Sequence, residues 1–506
     1  MLTTTADSAP VEIICDIFRH ATRLPQLNCD EKSRALFKGY LAVLFALTSS
    51  CSRWRAIALA DPTLWTNIFV DVMTPDLLRL YLERSAGLRL DVVITNPHPV
   101  THSVLCKEAH RLRRFILDDM KLSPFWGDAF PGAASNLEEL RIDAHPNYPS
   151  LGFLAPIFDG SLPKLRSLQL RNVPFWPVGM FRGLRHLEFI RGVQTLPSFV
   201  PLVLDTLQAS PLLETLSIEN YCILPDSRYT CAVAALPNLR RLRVTSDAIS
   251  KILHFIDVPP SANIEMVRSF CEVAGPGSNV LSCLHPGLPW INFLDGTQDV
   301  TVLLNADVMS VMMRNCHGGV ITVDVKDIPV GVHGLDDVMP PRYSPLLINT
   351  FGAMSRLAAL KSVSSFSIII PEDARNALLY TAVEGFANPK WRHLLQSLEN
   401  LVSLAVPLPF ALLPTQVVIG SSSDSTMMCP RLKKIGITTD IPADEVHDEQ
   451  LRRITKFVEA RYDSGLPLSS LDVDASVATP ISKQARAEYT KAWDALVEDV
   501  TFSVRF

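Results

Sequence analysis

The stretch LPNLRRLRV, residues 236–244, decides the fold. Leu239, Leu242 and Val244 are spaced so that Leu242 and Val244 share one side of a short strand, while Arg241, Arg243 and Thr245 take the other. Pro237 marks a turn just before the strand. The same arrangement, Leu-two residues-Leu-one residue-aliphatic, recurs at Leu112/Phe115/Leu117, Leu137/Leu140/Ile142, Leu165/Leu168/Leu170, Leu184/Leu187/Phe189 and Leu213/Leu216/Ile218. The steps from Leu112 to Leu239 are 25, 28, 19, 29 and 26 residues. Further on it returns at Val363/Phe366/Ile368, Leu401/Leu404/Val406, Leu432/Ile435/Ile437 and Leu468/Leu471/Val473. One such string means little in a leucine-rich chain. Ten of them, six in near-regular succession, require a structural repeat.

The pattern resembles the leucine-rich-repeat core, in which each repeat contributes one short parallel strand. The resemblance implies an α/β fold with an irregular repeat solenoid over residues 71–479. Helices are expected between strands. Thr74 caps one that begins with Pro75. Leu451, Ile454, Phe457 and Val458 form one apolar helix face that Gly465 terminates. Residues 258–362 break the pattern: they are rich in Pro and Gly, with short strands expected at 301–304 and 320–325. Residues 480–506 are read as a C-terminal helix and capping segment.

Residues 1–70 read differently. APVEIICDIF (9–18) opens an apolar helix with Ile13, Ile14 and Ile17 at helical spacing, and CSRWRAIALADPTLW (51–65) carries another that Pro62 stops. Three short helices this apolar cannot shield all their faces within about 60 residues, so the excess must dock on something. The two strings resemble the F-box, the three-helix module that joins substrate receptors to the SKP-type adaptor of cullin–RING ubiquitin ligases. The resemblance is carried by Pro10 and Glu12, by Ile17 and Phe18, by Cys51, Arg53 and Trp54, and by Asp61, Leu64 and Trp65. The whole layout is similar to fungal, mushroom-type F-box-like proteins with degenerate leucine-rich repeats. That resemblance implies adaptor contacts at Pro10, Ile13, Ile14, Ile17, Leu47, Cys51, Trp54, Leu64 and Trp65. Trp54 has a second reading, as a core residue of the module. Ala9, Ser50 and the polar insertion at 23–38 depart from the F-box pattern and support a second functional reading, a repeat scaffold that does not recruit a ligase.

The 506 residues are 48% hydrophobic and 20% charged, which calls for a sizeable core. The net charge of −5 gives no basic footprint for nucleic acid. No signal peptide or bilayer-length apolar run is visible. Ten cysteines lack CxxC spacing, as expected in a reducing compartment, so a cytoplasmic or nuclear protein is expected. His98 and His102 are flanked by Pro97 and Pro99, which forbid a helical metal pair. Cys316-His317 lacks an identifiable base partner, and Gly275-Pro276-Gly277 lacks the Lys of a phosphate loop. No cofactor, no metal and no enzymatic activity are expected. An unrecognised site in residues 258–362 is the remaining enzymatic alternative.

Function is therefore expected on a surface. The residues between the repeat leucines should face solvent and meet a protein substrate: Glu139, Arg141 and Asp143; Gln169 and Arg171; His186 and Glu188; Arg241 and Arg243. Their order, mixed near Glu139 and basic at Arg241 and Arg243, suggests a charge gradient that would orient the partner.

Overall fold

A computed structural model describes residues 9–22, 31–95, 104–120, 130, 132–144, 157–173, 176–192, 199–221, 232–245, 252–270, 279–284, 288, 291–305, 307–328, 343–371, 389–407, 429–440, 446–476 and 483–505. His98, His102 and the 275–277 stretch lie outside them. The fold is mixed α/β with mostly parallel strands, and the chain divides into two compact units, Met1–Leu239 and Arg240–Phe506.

The first unit begins with helices α1 (Val11–Ala21), α2 (Glu31–Ser50) and α3 (Ser52–Ala60) and a short turn, Pro62–Trp65. Cys51 caps α3 by accepting from Trp54 N at 3.3 Å. Asp61 caps the following turn by accepting from Thr63 N at 3.1 Å, and Pro62 occupies the first position, where it lacks only an N–H that would be orphaned anyway. β1 (Asn67–Phe69) follows, then α4 (Pro75–Arg84), capped by the Thr74 hydroxyl at 3.2 Å from Leu77 N. Rings tie the helices to this start of the sheet: Trp65 meets Tyr81 edge-on at 5.0 Å and Phe37 packs on Phe69 at 5.3 Å. The helical segment thus shares a core with the first strand and with α4.

β2 (Leu90–Ile94), β3 (Leu112–Met120), β4 (Glu139–Ala144), β5 (Ser167–Arg171), β6 (His186–Gly192) and β7 (Thr215–Tyr221) continue the sheet. Helix α5 (Phe199–Gln208) lies between β6 and β7 in sequence. Each strand pairs in parallel with the next in sequence. The registers align the repeat residues into two apolar rows, Val92-Phe115-Leu140-Leu168-Leu187-Leu216 and Ile94-Leu117-Ile142-Leu170-Phe189-Ile218. All twelve are at most 2% exposed, and each such burial contributes about 1.5–3 kcal/mol.

Ahead of the strands a turn recurs: Leu137 N bonds to Ala134 O, Leu165 N to Leu162 O, Leu213 N to Ser210 O and Leu239 N to Leu236 O. In the last three, Pro163, Pro211 and Pro237 stand at the second turn position, where their fixed φ suits the bend. The residue just before the repeat leucine adds a tie: Asn136 donates to His110 O at 2.7 Å and Asn238 to Pro211 O at 3.2 Å, each one repeat back.

In the second unit the strands are β8 (Arg241–Thr245), β9 (Asn263–Ser269), β10 (Thr297–Leu304), β11 (Met309–Asn315), β12 (Val320–Lys326), β13 (Ser365–Ile369), β14 (Ser403–Pro407), β15 (Lys434–Asp440), β16 (Ser470–Ser476) and β17 (Asp499–Arg505). Helices α6 (Tyr343–Met354), α7 (Pro389–Ser397), α8 (Val446–Asp463) and α9 (Lys483–Asp494) lie between them in sequence. Pairing follows the order β8-β9-β12-β11-β10-β13-β14-β15-β16-β17. Of these ten described strands, β11 alone is antiparallel to its neighbours. The chain skips two places from β9 to β10, folds back through β11 to set β12 beside β9, then skips again to β13.

The apolar row survives this reversal: Leu242-Ile264-Ile321-Met313-Val300-Phe366-Leu404-Ile435-Leu471-Val500. An antiparallel strand alternates its faces like a parallel one, so the core side is kept. The irregular residues 258–362 therefore carry part of the same sheet. Within the segment 480–506, read as a C-terminal helix and capping segment, the helix is α9, and after it the chain forms a further strand, β17, in register with β16.

Asn315 locks the turn after β11. Its amide donates to Pro260 O (2.7 Å) and Phe293 O (3.1 Å), and its carbonyl oxygen accepts from His317 N and Gly319 N. Gly319 is required there, since a Cβ would lie 2.1 Å from Pro260 O. Two buried arginines do similar work at loops. Arg111 donates to Leu88 O and to the Ser85 hydroxyl, and Arg461, 1% exposed, donates to Cys429 O and Leu432 O. Burial pushes the Arg461 pKa below the ordinary guanidinium value.

Candidate functional site

Helix α1 has two apolar sides. Ile14 (2% exposed) and Phe18 (0%) turn inward, where the Phe18 ring meets Trp54 edge-on at 5.3 Å. Arg19 reaches the nearly buried carboxylate of Asp61 at 3.1 Å, and Arg53 donates to Ala9 O at 2.5 Å. These contacts fix the helix against α3 and its following turn. Pro10, Ile13 (51%) and Ile17 (53%), at helical spacing along one stripe, remain open to solvent. Val11 and Phe45 on α2 are likewise about half exposed.

The nine residues expected to touch an adaptor thus separate. Pro10, Ile13 and Ile17 are exposed, and Cys51 and Trp54 are partly buried. Ile14, Leu47 (8%), Leu64 (2%) and Trp65 (2%) are core residues of the unit, which corrects the expectation that they offer surface. Trp65 is held by its indole N–H donating to Ala58 O at 3.0 Å, and the Leu64 carbonyl accepts from the Tyr40 hydroxyl. Helical spacing marked Ile13, Ile14 and Ile17 together in the sequence; only the structure separates the buried Ile14 from the exposed Ile13 and Ile17. Val11 and Phe45 were missed because nothing in their local sequence separates an exposed from a buried apolar residue.

The outward face of β2–β7 also differs from expectation. Arg141 and Asp143 are each only 8% exposed, not solvent-facing. In the same register row lie Val93 (2%) and Ile116 (0%), so the outward side is covered at β2–β4 and opens from β5 onward. Gln169, Arg171 and Glu188 are half-buried and His186 is exposed.

The charges on this face largely answer one another across strands. Arg113 clasps Asp91 with two bonds (2.6 and 2.9 Å), which raises its pKa. Arg114 meets Glu139 at 2.9 Å, Arg171 meets Asp143 at 3.3 Å, and Arg185 meets Glu214 at 3.0 Å. Gln169 donates to Glu188 at 2.8 Å, and His186 shares a hydrogen bond with Thr215 at 2.8 Å. In the second unit Arg241 and Arg243 both approach Glu265 on β9, at 3.4 and 3.7 Å. Such cross-strand pairs offset the bare charge from which the gradient was inferred.

Among the described residues no group of three His, Cys, Asp or Glu side chains is placed to hold a metal ion, and no helix is long and apolar enough to cross a membrane. No family model matches this chain, and no curated protein matches it.

Proposed function

We propose that this chain is a substrate receptor: its N-terminal helices dock on the SKP-type adaptor of a cullin–RING ubiquitin ligase, and the outward side of its strand repeats holds a protein substrate. The observation that carries this reading is the Pro10-Ile13-Ile17 stripe. It is an exposed apolar helix edge on a unit whose remaining apolar side chains are largely packed. Two β-branched side chains, each half open to water on adjacent turns of an anchored helix, are suited to serve as anchors for a partner. The transfer chemistry belongs to the ligase; this chain contributes proximity and orientation.

The test is co-expression of the full chain with a SKP-type adaptor and cullin, alongside Ile13→Asp and Ile17→Asp. These substitutions sit outside the core, so circular dichroism and melting temperature stay near wild type. The wild type is expected to co-purify, and each variant to bind at least about thirtyfold more weakly, as for loss of an interface anchor. A folded wild type that purifies alone favours the second reading, a repeat scaffold without ligase recruitment.

A further inference from the structure

Arg141 on β4 is a buried guanidinium whose bonding is incomplete. It makes no hydrogen bond among the described residues, its Nε is sealed from water without a partner, and its nearest acid, Asp143, stands 4.0 Å away. Directly across from Asp143, on β5, Arg171 takes the same carboxylate at 3.3 Å, and its Nε too is sealed without a partner. Glu139, the nearest other acid on β4, is held by Arg114. Two guanidinium groups therefore converge on one carboxylate, and the Nε of each keeps an unspent N–H donor. Leaving such donors unmade inside a protein is costly, and native structures usually satisfy them with water or a ligand. The cluster is not closed: the Arg171 side chain is 36% exposed, on the side where the outward face opens.

We propose that Arg141 and Arg171 form an oxyanion-binding point on the outward face of the first unit, which takes a phosphoryl group between the two guanidinium forks. The fork geometry of arginine matches the oxygens of such a group, and Asp143 draws the two guanidinium groups together. The source is either free inorganic phosphate or a phosphoryl group carried on a protein side chain. The inference stands apart from ligase recruitment, since none of its residues lies in the N-terminal helices.

Calorimetric titration of the full-length chain at constant ionic strength tests it, with inorganic phosphate and N-acetyl-phosphoserine amide as separate probes and chloride as the control. Saturable binding is expected. Arg171→Gln should weaken it at least about tenfold, because one charge-assisted fork is gone. Asp143→Asn should tighten it about tenfold, because the competing carboxylate is removed. Arg171→Lys keeps the charge but loses the fork, so an intermediate affinity is expected and guards against misreading an unfolded variant. Stronger binding of the phosphoserine derivative assigns the group to a protein partner, and stronger binding of inorganic phosphate to a free anion; either outcome supports the site. Equal heats for wild type and Arg171→Gln, or no binding to both wild type and Asp143→Asn, overturn it.

Discussion

The ring of Phe18 meets the indole of Trp54 at a 68° interplanar angle, with centroids 5.3 Å apart, and this contact joins the first helix to the third. The aromatic that looks most like an interface anchor in the sequence is thus also a structural joint. Trp54→Ala is expected to lower the stability of the N-terminal helices by about 2–3 kcal/mol, through lost packing and the edge-on contact. Thermal melting of the full chain, and the rate of limited proteolysis within residues 1–70 of it, would show it. By contrast, Ile13→Asp should change stability by no more than about 0.5 kcal/mol, as for exposed positions in general. Equal melting of the two variants would mean that Trp54 is not a joint.

Asn315→Ala removes a side chain that makes four hydrogen bonds around one turn. It leaves buried backbone groups unpaired, for an expected loss of about 3 kcal/mol or more in urea unfolding. Gly319→Ala should be at least as damaging, because its Cβ would collide with backbone rather than with a yielding side chain.

Arg461→Met replaces a buried cation with an apolar chain of similar length. The Cys429 and Leu432 carbonyls then lose their donors, and a loss of about 2–4 kcal/mol is expected. Arg461→Lys should rescue little, since one ammonium replaces a fork that spans two carbonyls. Full stability in both variants would show that the carbonyls find other partners.

The thiols should separate by reactivity. Burial pushes Cys283 and Cys429 up to about 11, so their thiolates are scarce at neutral pH and become more abundant as pH rises toward that value. Cys316 is exposed. Iodoacetamide at pH 7.5 is expected to label Cys316 before Cys283 and Cys429, with peptide mapping to identify each. Prior labelling of Cys283 in the folded protein would contradict its burial.

The parallel rows of the first unit were legible in sequence because strand alternation is local: Leu140 and Ile142, or Leu168 and Leu170, declare their side without reference to a partner. The Thr74 cap and the Gly465 stop were legible for the same reason. Gly465 has φ +73°, and Leu466 N returns to Arg461 O. The order β9-β12-β11-β10 was not legible, since Val300, Val311 and Val323 show the same alternation and none specifies its neighbour. Nor was β17, whose Val497, Val500 and Phe502 keep the spacing without a leucine. At the candidate sites, helical spacing marked Ile13, Ile14 and Ile17 alike and did not separate the buried one from the two exposed ones. The burial of Arg141 and Asp143 depends on what lies over the sheet, which strand periodicity does not report. Asn136, Asn238 and Asn400 were available in sequence as a recurring residue before the repeat leucine; Asn400 donates to Lys361 O at 2.7 Å.

Arrays whose units touch only their sequence neighbours can assemble from any point and grow stepwise. The two skips around β11 forbid that route between Asn263 and Ile369. There, β9 pairs with β12 across the span from Asn263 to Val320, and β10 with β13 across that from Asp299 to Ser365, so both contacts close longer stretches of chain than the neighbour-to-neighbour steps on either side. The β10-β11-β12 meander pairs locally, but closing these two long separations is the kind of step that is slow. It is therefore the expected slow step in folding of the second unit, and the place where a stalled chain would leave two strand edges exposed at once.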